Sequence, residues 1–147
     1  DIPLPFRERA TCERPIEVRS VGDYNFLKPK KQEPRRCVWY KTRGELPDDP
    51  LLHQYLLVYA SDFNLIGSAL LPHGVTWLNR GMQVASLDHA MWFHRPFRMD
   101  EWLLYAIESP SASGARGLAR GRFFDRDGNL VASVMQEGLI RRWPKVK

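Results

Sequence analysis

A chain of 147 residues with 22 Lys and Arg against 17 Asp and Glu, a net charge of +5, has the length of one domain with an ordinary hydrophobic core. It contains no secretory h-region and no apolar run near the ~18 residues a membrane span needs, so a soluble chain with no membrane partner is expected. Cys12 and Cys37 stand far apart without a C-x-x-C neighbour, which argues against zinc and a disulfide framework, and the positive charge favours anionic partners without choosing among them.

The chain begins with Asp1 rather than Met, as a processed or excised piece would. Residues 1–15 hold three prolines among mixed charges and are expected to form a linker or arm, with the folded domain over 16–147. Ile16 to Val21 alternates as a short strand does. From Asp23 to Arg36, "KPKKQ" and "EPRR" make a basic, proline-broken loop whose ordinary role is a solvated surface. Cys37 to Leu46 is a second strand, closed by Pro47-Asp48-Asp49-Pro50. The following "LLHQYLLVYASD", Leu51 to Asp62, is apolar on nearly every side, and a helix of that composition is expected to be buried all round.

The second half changes character. Gln83 to Arg95, Trp102 to Ser109, Arg116 to Asp125 and Leu130 to Arg141 are rich in aromatic, β-branched and long apolar residues, and Gly, Ser, Asn or Pro separates them. Asp127-Gly128 is the signal for a two-residue type I′ hairpin. The pattern is α+β: one buried helix, then a meander of long antiparallel strands that twist around it.

Three polar residues lie inside this apolar pattern. Gln136 shares the core face of the last strand with Leu130, Ala132, Val134 and Ile140 by period two, so it is a buried amide; backbone pairing is its plainest use. Asp62 ends the helix, where a carboxylate ordinarily caps or turns the chain. Ser86 lies on a strand, where a serine is usually only a serine. His89 and His94 differ in strand parity and so cannot share one metal or one proton path; both are expected to pack and hydrogen-bond.

Taken with their surroundings, these residues acquire a context. The run "SLDHAMWFHRPFRMDEWLLYAIESPSASGARGLARGRFFDRDGNLVASVMQEGLIR", with "RPIEVR", "DDPLLHQYLLVYASDF" and "LPHG" before it, closely resembles the C-terminal half of the acyl-CoA thioesterase II family of bacteria and peroxisomes. The resemblance implies a hotdog fold, a long antiparallel sheet wrapped around a central helix, as the second of two such units in one polypeptide. It also implies hydrolysis of acyl-CoA to fatty acid and CoA, with no cofactor and no metal. The family's Asp, Ser or Thr, and Gln fall on Asp62, Ser86 and Gln136, which would hold and polarise the attacking water. Its partners would be the acyl-CoA substrate and an N-terminal hotdog half, or a second copy in a homo-oligomer.

Two alternatives belong to other classes. Hotdog hydratases carry D-x-N-P-L-H, and here "DFNLIG" puts Gly67 where that His would stand, which disfavours hydration of an enoyl-CoA. A non-catalytic acyl-CoA or RNA binder would use the basic surface, but no RNP, KH or helix-turn-helix signature supports nucleic acid. The closing "PKVK" is not an S-K-L-type address, and a cytoplasmic location is expected.

Overall fold

In the computed structural model, residues 14–143 are described; all but the last two residues of the expected N-terminal arm lie outside them. Seven antiparallel strands form one sheet among the described residues: β1 (Ile16–Ser20), β2 (Arg35–Thr42), β3 (Met82–Ser86), β4 (Ala90–Phe93), β5 (Leu103–Ser113), β6 (Arg116–Phe124) and β7 (Leu130–Arg142). Their spatial order is β1-β2-β5-β6-β7-β3, with β4 also paired to β7. The expected meander is therefore β5-β6-β7, and the curled sheet with one helix is the hotdog arrangement. No helix of the described residues is long and apolar enough to cross a membrane.

The helix α1 (Pro50–Ser61) starts where the sequence provides a cap and a stop. Asp49 accepts a bond from the Leu51 amide at 3.0 Å, and Pro50 occupies the first turn, where its missing N–H costs nothing. Arg98 fastens the segment before it, reaching Asp48 and Asp100 carboxylates at 3.0 and 2.9 Å and the Leu46 carbonyl at 2.9 Å. The same guanidinium holds the Asp100 carboxyl down at about 2. Within the helix, His53 Nδ1 accepts the Met99 amide at 3.1 Å.

α1 is not buried all round. His53, Leu57, Ala60 and Ser61 face the sheet, whereas Tyr55 is 66% exposed and Tyr59 58%, with Leu51 and Val58 beside them. One sheet covers one face of a helix; the apolar composition of the other face records a need for cover that the described residues do not meet. Beyond α1, Asn64 adopts a left-handed φ of 67°, and a 3-10 segment, Ile66–His73, packs onto the sheet. The core between these layers is built on Tyr40, Tyr105 and Phe123, the last two stacked with centroids 3.9 Å apart, and on Val38, Leu57, Leu65, Leu103, Val131 and Val134.

Two local expectations are corrected. The strand expected over Gln83 to Arg95 is two strands, because Leu87 to His89 leave the ladder: Asp88 Oδ1 takes the Glu137 amide at 2.7 Å, a donor that a continuous strand would have paired with a backbone carbonyl. The Asp127-Gly128 hairpin is not type I′, since only Gly128 has a positive φ, 83°. The Gly128 amide closes a turn onto the Asp125 carbonyl at 3.2 Å, and Asp125 Oδ1 collects the amides of Asp127 and Asn129. Arg126 and Asp127, the central residues of this turn, thus avoid positive φ, the left-handed residue follows them at Gly128, and the Asp125 side chain braces the turn.

Candidate active site

The three polar residues singled out from the sequence converge although they come from three separate elements. Asp62 stands at the C-terminal end of α1, Ser86 ends β3, and Gln136 sits in the middle of β7. Gln136 Nε2 donates to Asp62 Oδ1 at 2.6 Å, and the Ser86 hydroxyl reaches the same oxygen at a longer 3.4 Å. Both contacts land on Oδ1, leaving the second carboxylate oxygen to face other groups. Asp62 and Ser86 are exposed, Gln136 is fully buried, and with Val58, Tyr59 and His89 they line a cleft of about 450 Å³.

Gln136 does not pair with the backbone, the plainest use of a buried strand amide. Its amide nitrogen is shared by two side chains, Asp62 and His89, whose Nδ1 lies 3.0 Å away. Its Oε1 is buried and meets no donor among the described residues. Presenting both N–H groups to acceptors thus comes with an unpaired buried carbonyl, an arrangement that costs roughly 1 to 3 kcal/mol and that folding alone would not favour.

The backbone around Asp62 is held from below by two tyrosines. The Tyr105 hydroxyl donates to the Ser61 carbonyl at 2.7 Å, and the Tyr40 hydroxyl donates to the Phe63 carbonyl at 2.9 Å, so the peptide group preceding Asp62 and the carbonyl of the residue after it are both tied to the sheet. Asn64 Nδ2 donates in turn to Tyr40 at 2.7 Å. Burial, with the Asp62 carboxylate adding to it, pushes the Tyr40 phenol up to about 12 and the Tyr105 phenol well above its ordinary value. Both hydroxyls therefore remain protonated donors at neutral pH. Tyr105→Phe is expected to lower stability by about 1 kcal/mol and kcat by roughly tenfold, because one neutral hydrogen bond is lost and Asp62 gains freedom. Denaturant melts and steady-state rates measure the two effects; an unchanged kcat would show that the clamp does not position Asp62.

The structure sets His89 and His94 apart, as expected, but not in equivalent surroundings. His94 contacts Ser133 Oγ at 2.9 Å on the exposed side of β7. His89 instead enters the cleft and contacts Gln136 and Ser61 Oγ, the latter at 2.8 Å. Strand parity missed this because His89 belongs to the break between β3 and β4, where parity does not apply; the available signal was Asp88, a side chain suited to ending a ladder. The tyrosine hydroxyls left no signal in the pattern, since a core Tyr and a core Phe are alike to it.

An acyl-CoA thioesterase family model matches residues 5–139. The chain is similar to acyl-CoA thioesterase 2 of Haemophilus influenzae, at 48% identity over 140 residues that make up 95% of this chain and 49% of that protein. Among solved structures it is similar to the acyl-CoA thioesterase II TesB2 of Mycobacterium marinum, with a TM-score of 0.76 and 48% identity over 90% of this chain and 51% of that one. A hot dog fold protein of Alicyclobacillus acidocaldarius gives a TM-score of 0.66 at 15% identity, over 97% of this chain and 49% of that one, a likeness of fold alone. The chain spans about half the length of the curated relatives it matches.

Proposed function

The chain belongs to the acyl-CoA thioesterase family, and we propose that it is the catalytic hotdog unit of an enzyme that hydrolyses acyl-CoA to a free fatty acid and CoA. The observation that carries this reading is the convergence of Asp62, Ser86 and Gln136 around one carboxylate oxygen in an open cleft. Gln136 and Ser86 hold Oδ1, so the carboxylate is fixed with its other oxygen free to take a proton from water. The water oxygen attacks the thioester carbonyl carbon, the C–S bond breaks, and the proton passes to the departing thiolate. No covalent acyl-enzyme is required, and a thiol with an ordinary pKa of about 8.5 leaves without strong acid assistance.

The active unit in this reading includes a second hotdog. Val58, Tyr59 and Leu87 are exposed and form the outer wall of the cleft, so an acyl chain lying there would remain half in water unless another surface covered it. An N-terminal hotdog half of the same enzyme, docked against the open face of α1 and the β3–β4 edge, would complete the groove. Thiol release from a fatty acyl-CoA tests both statements: this chain alone is expected to hydrolyse poorly, and addition of the N-terminal half to restore activity. A stable monomer with full thioesterase activity would refute the shared groove. Retention of acyl-CoA with no thiol release by the assembled pair would identify a binding module instead.

A further inference from the structure

We propose that His89 is a positioning residue of the hydrolytic site, acting through Gln136. The inference rests on the catalytic reading of Asp62 given above, and it follows from assigning every proton in one chain of contacts. Ser61 Oγ lies 2.8 Å from the Val58 carbonyl, which can only accept, so the serine proton is committed there. Toward His89 Nε2, also 2.8 Å away, Ser61 is then left as an acceptor, and that nitrogen must carry the ring proton. The Gln136 amide nitrogen facing Nδ1 can only donate, so Nδ1 is the accepting nitrogen of the ring.

Gln136 Nε2 lies 3.0 Å from that Nδ1 and 2.6 Å from Asp62 Oδ1, so its two N–H bonds meet two acceptors. Turning the amide over would set Oε1 against both the Asp62 carboxylate and the imidazole lone pair. His89 thus supplies a second reason, beside Asp62 itself, for the amide to keep the orientation that holds Asp62, and the reason remains when Asp62 passes through its protonated state in the reaction. Without His89, an amide facing a transiently neutral carboxyl has no other partner to hold it in place.

The test uses the active assembly of this chain with its N-terminal half, and compares His89→Leu, His89→Asn, Gln136→Ala, the His89→Leu/Gln136→Ala double variant and Asp62→Asn. Asn keeps an acceptor oxygen near the place of Nδ1, whereas Leu has none. His89→Leu is expected to lower kcat about tenfold with KM nearly unchanged, His89→Asn to recover most of that loss, and His89→Leu to add little when Gln136 is already Ala. Full activity of His89→Leu beside an inactive Asp62→Asn would overturn the role of His89 and leave the catalytic reading standing; so would losses that add in the double variant. An active Asp62→Asn would remove the reading beneath it and this inference with it. Nitrogen-15 NMR of the wild-type imidazole gives an answer even where a variant does not fold: a protonated Nε2 and bare Nδ1 are expected, and the opposite tautomer overturns the proposal.

Discussion

Asp62→Asn is expected to abolish thioester hydrolysis, by about 10² to 10⁴ in rate, while folding and acyl-CoA binding stay nearly intact. The substitution is nearly isosteric, and the Asn side chain can turn its oxygen toward Gln136 Nε2, keeping the 2.6 Å contact that ties α1 to β7. Its other group is then an NH₂, which cannot take a proton from water. Ser86→Ala and Gln136→Ala are expected to cost less, since each removes one of two groups on Oδ1 and leaves the base in place. Measuring kcat and equilibrium binding in the active assembly separates these outcomes. A wild-type kcat for the Asn variant would remove Asp62 from the mechanism.

Gly121→Ala is expected to destabilise the fold by about 3 kcal/mol and to lower kcat by more than Tyr105→Phe does. Gly121 lies on β6 beneath the ring of Tyr105, and a Cβ placed there would meet Tyr105 Cε2 and Cζ within van der Waals contact, Cζ at 2.9 Å. The ring cannot step aside without loss, because it is stacked on Phe123 and flanked by Tyr40 with centroids 5.6 Å apart. One methyl group therefore lifts a tyrosine whose hydroxyl holds the carbonyl preceding Asp62. Urea unfolding with an unchanged m-value, together with steady-state rates, measures the effect. A change within about 0.5 kcal/mol, the range of an ordinary surface substitution, would show that the core gives way more easily than its packing implies.

The strands were legible in the sequence because burial on one face writes period two into it. β5, β6 and β7 begin within a residue of where composition and turn signals place them, and Gln136 falls on the inner face with Val134 as the alternation requires. What periodicity does not encode is who answers a polar group. The apolar run of α1 was legible as a demand for burial, but the sequence of one chain cannot say that Tyr55 and Tyr59 stay uncovered within it. The break at Leu87 to His89 escaped notice for a similar reason: it depends on one carboxylate taking the Glu137 amide, a competition between side chain and backbone rather than a pattern. The hairpin at Gly128 was recognised as a turn but mistyped, since Asp125 supplies bonds that a dipeptide signal ignores. Asp62, Ser86 and Gln136 stand out in the sequence only through the family resemblance; taken singly, each has an ordinary structural use.

The interruption between β3 and β4 also bears on how the molecule keeps company with others. β7 offers its outer side to β3 at Gly138 to Arg142 and to β4 at Ala132 to Met135, with Asp88 drawn inward between them. A stray strand arriving at that margin finds two short, offset ladders in place of a single long one, so it cannot zip along the whole length in an arbitrary alignment. An edge so divided is protected from endless self-addition, and the protection is supplied by the same three residues that swing an imidazole into the cleft.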